Sequence, residues 1–371
     1  MKNLLLTFSR TCNYGAALQT YASIKFFENS GIELITPAYS PIYLMPTTSF
    51  YRGIGLRGNK KKKFNFLYPI YRRLKMYKRY KLFKDFQNEY LKIDYNLDSV
   101  NSIINSSNQY HSFVVGADQT WNTNLNLSSN FENYFFLGFL KDSTIKKISF
   151  SSCFGVDEKN QKFSNEIKNC VVDFDYLSTR NEFSKKILEQ YTDKEIFTLC
   201  DPTIIHNFNE LTSNPREENI ILIYSMDSSN LSLIKNISLN LKKKYNSKIY
   251  SISSESRINM NWVDKNIDNA GPIEFLNLFK KSRFILTDSF HGSIFSIKFK
   301  KKFLSFSTNY RSYRIKSLLK LFDLESLHFN NDNINEFNEN IWKQINIEKI
   351  ESTTDDLKRK AANFIKTSYS L

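Results

Sequence analysis

Short apolar runs alternate with amphipathic stretches from the first residues onward. Leu4 to Phe8 predicts a strand, the polar turn Arg10 to Gly15 follows, and Leu18, Tyr21, Ala22 and Phe26 then recur at helical spacing on one face. Gly31 ends that helix and Ile32 to Ile35 starts a second strand. Further strands are expected at Phe113 to Val115, Lys147 to Phe150, Tyr176 to Thr179 and Ile196 to Leu199. The alternation restarts with a strand at Ile220 to Met226, a helix from Ser229 to Tyr245, a strand at Lys248 to Ile252 and a helix from Pro272 to Lys281. A strand at Arg283 to Leu286, a helix from Ser293 to Phe299, a strand at Phe303 to Phe306 and a helix from Ser312 to Phe322 continue it, and Thr354 to Thr367 reads as a closing helix.

Strands alternating with helices predict parallel sheets with helical crossovers, and the restart predicts a second unit of the same kind. The expected fold is therefore α/β, with two Rossmann-like domains facing a cleft at the carboxyl ends of their strands. The first domain is expected at 1–205, with a basic helical insertion at about 60–91. A linker is expected at 206–218, a second domain at 219–345, and a C-terminal helix at 346–371 that packs back on the first domain. The 371 residues, 41% of them hydrophobic, suffice for two cores.

The formal charge of +15 is local, because Lys60 to Lys84 holds eleven lysines or arginines and no acid, which leaves +4 for the rest of the chain. Aromatic and aliphatic residues interleave with these bases, as in a helix lying on an anionic membrane surface. A solvated basic helix with its aromatic face turned to the protein body fits the same pattern, and both readings stay open. No groove-reading or RNA-binding motif accompanies the charge, so nucleic acid is not an expected partner. Cys12, Cys153, Cys170 and Cys200 are far apart without a CxxC spacing, which predicts neither a zinc site nor a disulfide framework. A soluble protein of the reducing cytoplasm is expected, since the first apolar run is too short for a signal segment and no apolar window is long enough to span a bilayer.

Candidate chemistry sits where such sheets present their strand ends. In TDSFHGSIFS, Thr287 to Ser296, Asp288 and Ser289 are suited to cap a helix, and Gly292 lets a backbone approach a ligand beside His291. That turn is either an anion site or an ordinary capped turn with a packed histidine. Asn13, Tyr14 and Gly15 occupy the first strand-to-helix turn, and Gly116 to Asn122 follows the Phe113 strand. Amide and carboxylate groups there suit sugar hydroxyls, Tyr14 or Trp121 offers a stacking face, and a purely structural turn is the alternative. Arg180 ends a strand, and Arg311 and Arg314 begin a helix one strand after His291; each suits phosphate or carboxylate, or a surface ion pair. His111, His206 and His328 read as structural. The GIGLRG string at Gly53 to Gly58 follows no convincing strand and has no acid at the ribose-binding distance, so it reads as a loop. HExxH, GxxxxGK[ST] and GxSxG strings do not occur.

Taken in order, these pieces resemble the polysaccharide pyruvyl transferase family. The matching segments are NYGAALQTYA (Asn13 to Ala22), VVGADQTWN (Val114 to Asn122), KKISFSSCFG (Lys146 to Gly155), YLSTRNEF (Tyr176 to Phe183), DPT (Asp201 to Thr203), Gly271 to Phe306 with its DSFHG, and YRIKSLL (Tyr313 to Leu319). One departure is Asn181, where the family usually has a glutamate after the arginine, so a salt bridge to Arg180 would fall to Glu182. The resemblance implies a fold like the GT-B glycosyltransferases, and transfer of pyruvyl from phosphoenolpyruvate to two sugar hydroxyls as a cyclic ketal.

It implies His291 and Arg180 as catalytic residues, and Arg314, Arg311, Ser289 and Gly292 on the donor. Asn13, Tyr14, Asp118 and Gln119 fall on the acceptor, with Asp118 a base for an attacking hydroxyl. No metal or organic cofactor enters that scheme. An acceptor that is a lipid-linked oligosaccharide would give the Lys60 to Lys84 segment a place at the inner face of the plasma membrane. A nucleotide-sugar glycosyltransferase of the same architecture and a non-catalytic saccharide-binding protein are the competing readings.

Overall fold

The computed structural model describes residues 2–41, 67–122, 134–141, 143–155, 165–252, 260–307, 312–330, 332–334 and 337–371. Lys60 to Phe66, the GIGLRG string and Arg311 lie outside the described residues. In chain order, β1 (Lys2–Leu6), α1 (Tyr14–Glu28), β2 (Glu33–Pro37), α2 (Leu67–Tyr90), β3 (Ile93–Asp94), α3 (Val100–Asn105), β4 (Ser112–Val115) and β5 (Lys146–Ser149) form a first unit. Its sheet is wholly parallel, in the order β3-β2-β1-β4-β5. α4 (Asn165–Val172), β6 (Leu177–Thr179), α5 (Glu182–Leu188), β7 (Ile196–Thr198) and α6 (Pro202–Ile205) follow, and the parallel pair β6-β7 is tied to the first sheet by a bridge between Ile148 and Tyr176.

The second unit runs through β8 (Glu218–Tyr224), α7 (Leu231–Tyr245), β9 (Lys248–Ile252), β10 (Lys265–Ile267), α8 (Pro272–Lys281) and β11 (Ser282–Thr287). It continues with α9 (Phe290–Lys298), β12 (Lys302–Phe306), α10 (Ser312–Leu321) and β13 (His328–Phe329), and α11 (Ile347–Tyr369) closes the chain. Its parallel sheet has the order β10-β9-β8-β11-β12-β13. The winding reverses between β1 and β4 in one sheet and between β8 and β11 in the other. Those switch points open crevices at the carboxyl ends of the strands. Leu4 to Leu6, Ile220 to Tyr224 and Phe284 to Leu286 are continuous apolar runs because both faces of each sheet are covered.

α1 departs from its one-faced expectation. Nearly every residue from Tyr14 to Phe27 is buried, so the helix is covered all round rather than on the Leu18, Tyr21, Ala22 and Phe26 stripe alone. The reason is its position between the two units. Tyr14 stacks on Phe275 of α8 at 4.4 Å, and its hydroxyl donates to the Ala270 carbonyl at 3.0 Å. One continuous apolar cluster therefore includes Leu18 and Phe27 together with Tyr224, Phe275 and Phe295.

In the part of α2 with described side chains one face packs on the protein body, while Tyr77 is exposed. Arg79, Phe83, Phe86 and Gln87 are buried against the body, while Lys78, Lys81 and Lys84 point outward. Arg79 Nη2 donates to the Cys12 carbonyl at 2.8 Å and Gln87 Nε2 to the Thr11 carbonyl at 2.8 Å. One face of this helix thus braces the turn that precedes α1. At the other end of the chain, α11 returns to the first unit: Tyr369 and Ser112 share a hydroxyl hydrogen bond of 2.7 Å, and Lys146 Nζ donates to the Ser368 carbonyl at 2.9 Å.

Of the histidines read as structural, His328 sits between the hydroxyls of Ser305 and Ser307, at 2.9 and 2.8 Å. His206 accepts from the Phe208 amide and lies 3.1 Å from Glu210 Oε1. His111 stands just before β4 and is exposed. Burial pushes the His328 imidazole down to about 4. The unfolded chain, titrating near the ordinary value, then binds this proton more readily, so the stabilising contribution is complete above about pH 6.5 and is lost as pH falls toward 4. Urea denaturation should show stability rising by roughly 2–3 kcal/mol from this group over that window. His328→Gln should flatten the slope, and an unchanged slope would contradict the assignment.

Candidate active site

The turns after β1, β4, β6 and β7 in the first unit and after β11 in the second converge on one buried cluster. At its centre is Asp201, the N-cap of α6, whose Oδ1 accepts from the Thr203 amide at 3.0 Å and from the Thr203 hydroxyl at 2.6 Å. Asp201 Oδ2 accepts from Arg180 Nη1 at 2.8 Å and lies 3.4 Å from His291 Nε2. Complete burial alone would raise this carboxyl, yet His291, Arg180 and Thr203 together hold it well below the ordinary carboxylate range. The aspartate is thus an anion that joins the arginine of one unit to the histidine of the other.

Arg180 leaves the end of β6 and is buried, its backbone amide donating to the Ser152 carbonyl at 3.0 Å. Besides Asp201, its Nη1 donates to Asp118 Oδ1 at 3.0 Å, and its Nη2 donates to Cys153 Sγ at 3.0 Å. Asp118 and Asp201, rather than Glu182, thus anchor Arg180. Asn181 instead caps α5, accepting from the Ser184 amide at 2.8 Å, and Glu182 lies in the first turn of that helix. The guanidinium of Arg180 lies 4.4 Å from the centre of the Phe290 ring, and that of Arg314 approaches the same ring at 5.8 Å. Phe290 thereby gathers two permanent cations beside His291.

His291 lies in the first turn of α9, because that helix begins at Phe290, three residues before the expected start. Ser289 is its N-cap and accepts from the Gly292 amide at 3.3 Å, which leaves Asp288 free of capping. Asp288 turns back toward β8, accepting from Ser225 Oγ at 2.7 Å and from the amides of Met226 and Asp227 at 2.6 and 3.1 Å. Gly292 is required by packing: a Cβ there would lie 2.2 Å from Thr287 Oγ1. Gly15 has the corresponding role for the histidine, since a Cβ on it would lie 2.1 Å from His291 Nδ1. The first turn of α1 is thus pressed against the ring, with Nδ1 on the Gly15 side and Nε2 on the Asp201 side.

The residues expected on the acceptor divide. Asp118 joins the cluster through Arg180, in the left-handed region at φ 72°. Asn13 caps α1, its Oδ1 accepting from the Ala16 amide at 3.1 Å. Gln119 Oε1 accepts from Asn122 Nδ2 at 2.8 Å, and both side chains abut Gly155, which sits at φ 81°. The stacking faces expected of Tyr14 and Trp121 are taken by protein. Tyr14 is covered by Phe275, Phe83 and Arg79, and Trp121 by Phe136, Phe154 and Phe174, because each ring fills a core rather than a strand-end crevice. Sequence reasoning missed Asp201 as a site residue and Phe290 entirely. The signal for Asp201 was the Asp-Pro-Thr string after a strand, with aspartate at the N-cap and proline at the first helical position.

The model for the family described as polysaccharide pyruvyl transferase matches residues 13–310. The chain belongs to the polysaccharide pyruvyl transferase family. No curated protein matches the chain. Among solved structures, MnaA of S. aureus, determined with UDP, is 14% identical over 94% of each chain with a TM-score of 0.50. UDP-GlcNAc 2-epimerase from Neisseria meningitidis is 13% identical over 100% of each chain with a TM-score of 0.49. A glycosyltransferase from Streptomyces sp. SF2575 is 11% identical over 98% of this chain and 96% of its own, at 0.44. The fold of this family member is accordingly the two-unit, Rossmann-like GT-B arrangement. Among the described residues, no helix is long and apolar enough to cross a membrane.

Removing the charge of Asp201 would leave a buried arginine with one carboxylate fewer. Asp201→Asn should therefore cost about 3–5 kcal/mol of stability in urea denaturation. A loss under 1 kcal/mol would show that the bridge contributes little to holding the units in register.

Proposed function

We propose that this protein transfers the pyruvyl unit of phosphoenolpyruvate to two hydroxyls of a sugar in a polysaccharide or lipid-linked oligosaccharide precursor, forming a cyclic ketal and releasing phosphate. The observation that carries this reading is the pair of guanidiniums, Arg180 and Arg314, set on the two sides of one unit boundary around Phe290 and next to His291. A small donor bearing a phosphate and a carboxylate calls for two fixed cations within one pocket. Arg180 still has its Nε–H and one Nη2–H beyond the three hydrogen bonds described above.

In the proposed reaction the methylene carbon of phosphoenolpyruvate gains a proton from His291 while one sugar oxygen bonds to the central carbon and gives its own proton to Asp118. The second sugar oxygen then bonds to that carbon as the carbon–oxygen bond to phosphate breaks, and its proton leaves to phosphate or solvent. His291 is assigned the proton transfer, a role suited to an imidazole near neutral pH. Asp201 orients its ring, and Arg180 and Arg314 offset the charge that accumulates on departing phosphate. Asp118 is assigned to the attacking hydroxyl, with Asn13 and Gln119 toward the acceptor.

Purified protein incubated with phosphoenolpyruvate and candidate saccharide acceptors should release phosphate only when an acceptor is present. His291→Ala should reduce that rate at least a hundredfold in protein that still folds. Turnover of a nucleotide sugar in place of phosphoenolpyruvate would overturn the reading in favour of glycosyl transfer, and full activity of His291→Ala would remove the histidine from it.

A further inference from the structure

A half-open pocket lies away from the cluster, between α6, α9, α10 and α11, with a volume of about 380 Å³. Its floor is apolar, with Ile204, Ile294, Ile297, Leu318, Phe322 and Ile350 all buried, and the rest of its lining is polar. The one cation set among these apolar residues is Lys298, at the end of α9, whose Nζ donates to the Ile204 carbonyl at 2.8 Å. No carboxylate among the described residues forms an ion pair with it. The titratable groups acting on it are Cys200 at the end of β7, His206 after α6 and Lys358 on α11. Burial pushes this ammonium down to about 7, the behaviour of a cation lacking a counter-ion. The mouth carries Lys300, ion-paired to Glu351, together with Thr354 and Asp355.

An ammonium without an ion-paired carboxylate, set over an apolar floor in a pocket whose mouth is polar, is complementary to an anion with an apolar body. A cavity of roughly 150 Å³ accepts one benzene ring, so this one has space for about a dozen heavy atoms. We propose that it is a binding site for a small amphipathic monocarboxylate, with the carboxylate on Lys298 Nζ and the alkyl body against Ile294, Leu318, Phe322 and Ile350. Ile204 and Ile294 each stand three residues beyond Asp201 and His291 on the same short helices. An occupant would therefore press on the two helices that carry Asp201 and His291 without entering the reaction site.

Calorimetric titration of the full chain with octanoate and with octan-1-ol separates the charge from the chain. The wild type should bind one octanoate per chain, at least tenfold tighter than octan-1-ol. Lys298→Met should abolish that difference. Thr354→Trp, placed at the mouth on the partly exposed side of α11, should weaken both ligands while leaving the melting temperature near that of the wild type. Equal affinity of the wild type for the two ligands, undiminished octanoate binding by Lys298→Met, or absence of saturable octanoate binding would each overturn the proposal.

Discussion

The rest of the site depends on one buried carboxylate. Asp201 is fully enclosed, and a charge in that position is tolerable only because donors satisfy it, the Thr203 amide and hydroxyl and Arg180 Nη1, while His291 Nε2 stands 3.4 Å away without a hydrogen bond. Its two long-range partners come from different units of the fold. Arg180 ends a strand that flanks the first sheet, and His291 begins a helix that follows the central strand of the second. The aspartate therefore lies where the two units meet, beside the apolar cluster that joins them. Gly15 adds a steric condition, because only a residue without a side chain lets α1 approach the ring that Asp201 orients.

This constraint explains why the surrounding sequence has little freedom. Arg180 is held at Nη1 by Asp118 as well as Asp201, so the turn after β4 is tied to the turn after β7. Tyr14, one residue from Gly15, is fixed by its hydroxyl on Ala270 and by stacking on Phe275, and Arg79 and Gln87 of α2 hold the carbonyls just before it. A basic helix is thus recruited on one face to a structural task close to the site. Its outward lysines take no part in that task.

Much of the architecture was legible in the residue pattern. The αβ alternation, its restart near Ile220 and the strand at Lys248 to Ile252 follow from apolar periodicity, because parallel strands covered on both faces leave a plain signature. Short edge strands such as β3, β10 and β13 were not legible, since two or three residues carry no period. At the site, His291 and Arg180 stood out as rare or charged residues at strand ends. Asp201 did not, because its partners are distant in sequence and only folding brings them within hydrogen-bonding reach. Tyr14 and Trp121 were misread for a related reason: an aromatic beside a polar turn looks exposed in one dimension, while neighbours from other elements bury it in three. The start of α9 was placed too late because Phe290 and His291 look like turn residues, whereas Ser289 caps them into the helix.

The central claim is that Asp201 and His291 act as one unit. A double-mutant cycle between Asp201→Asn and His291→Gln, read as phosphate release from phosphoenolpyruvate in the presence of an acceptor, tests it most directly. The account predicts strong non-additivity, with the double variant no slower than the His291→Gln single variant. Losses that multiply, each substitution slowing the reaction by the same factor in either background, would contradict it.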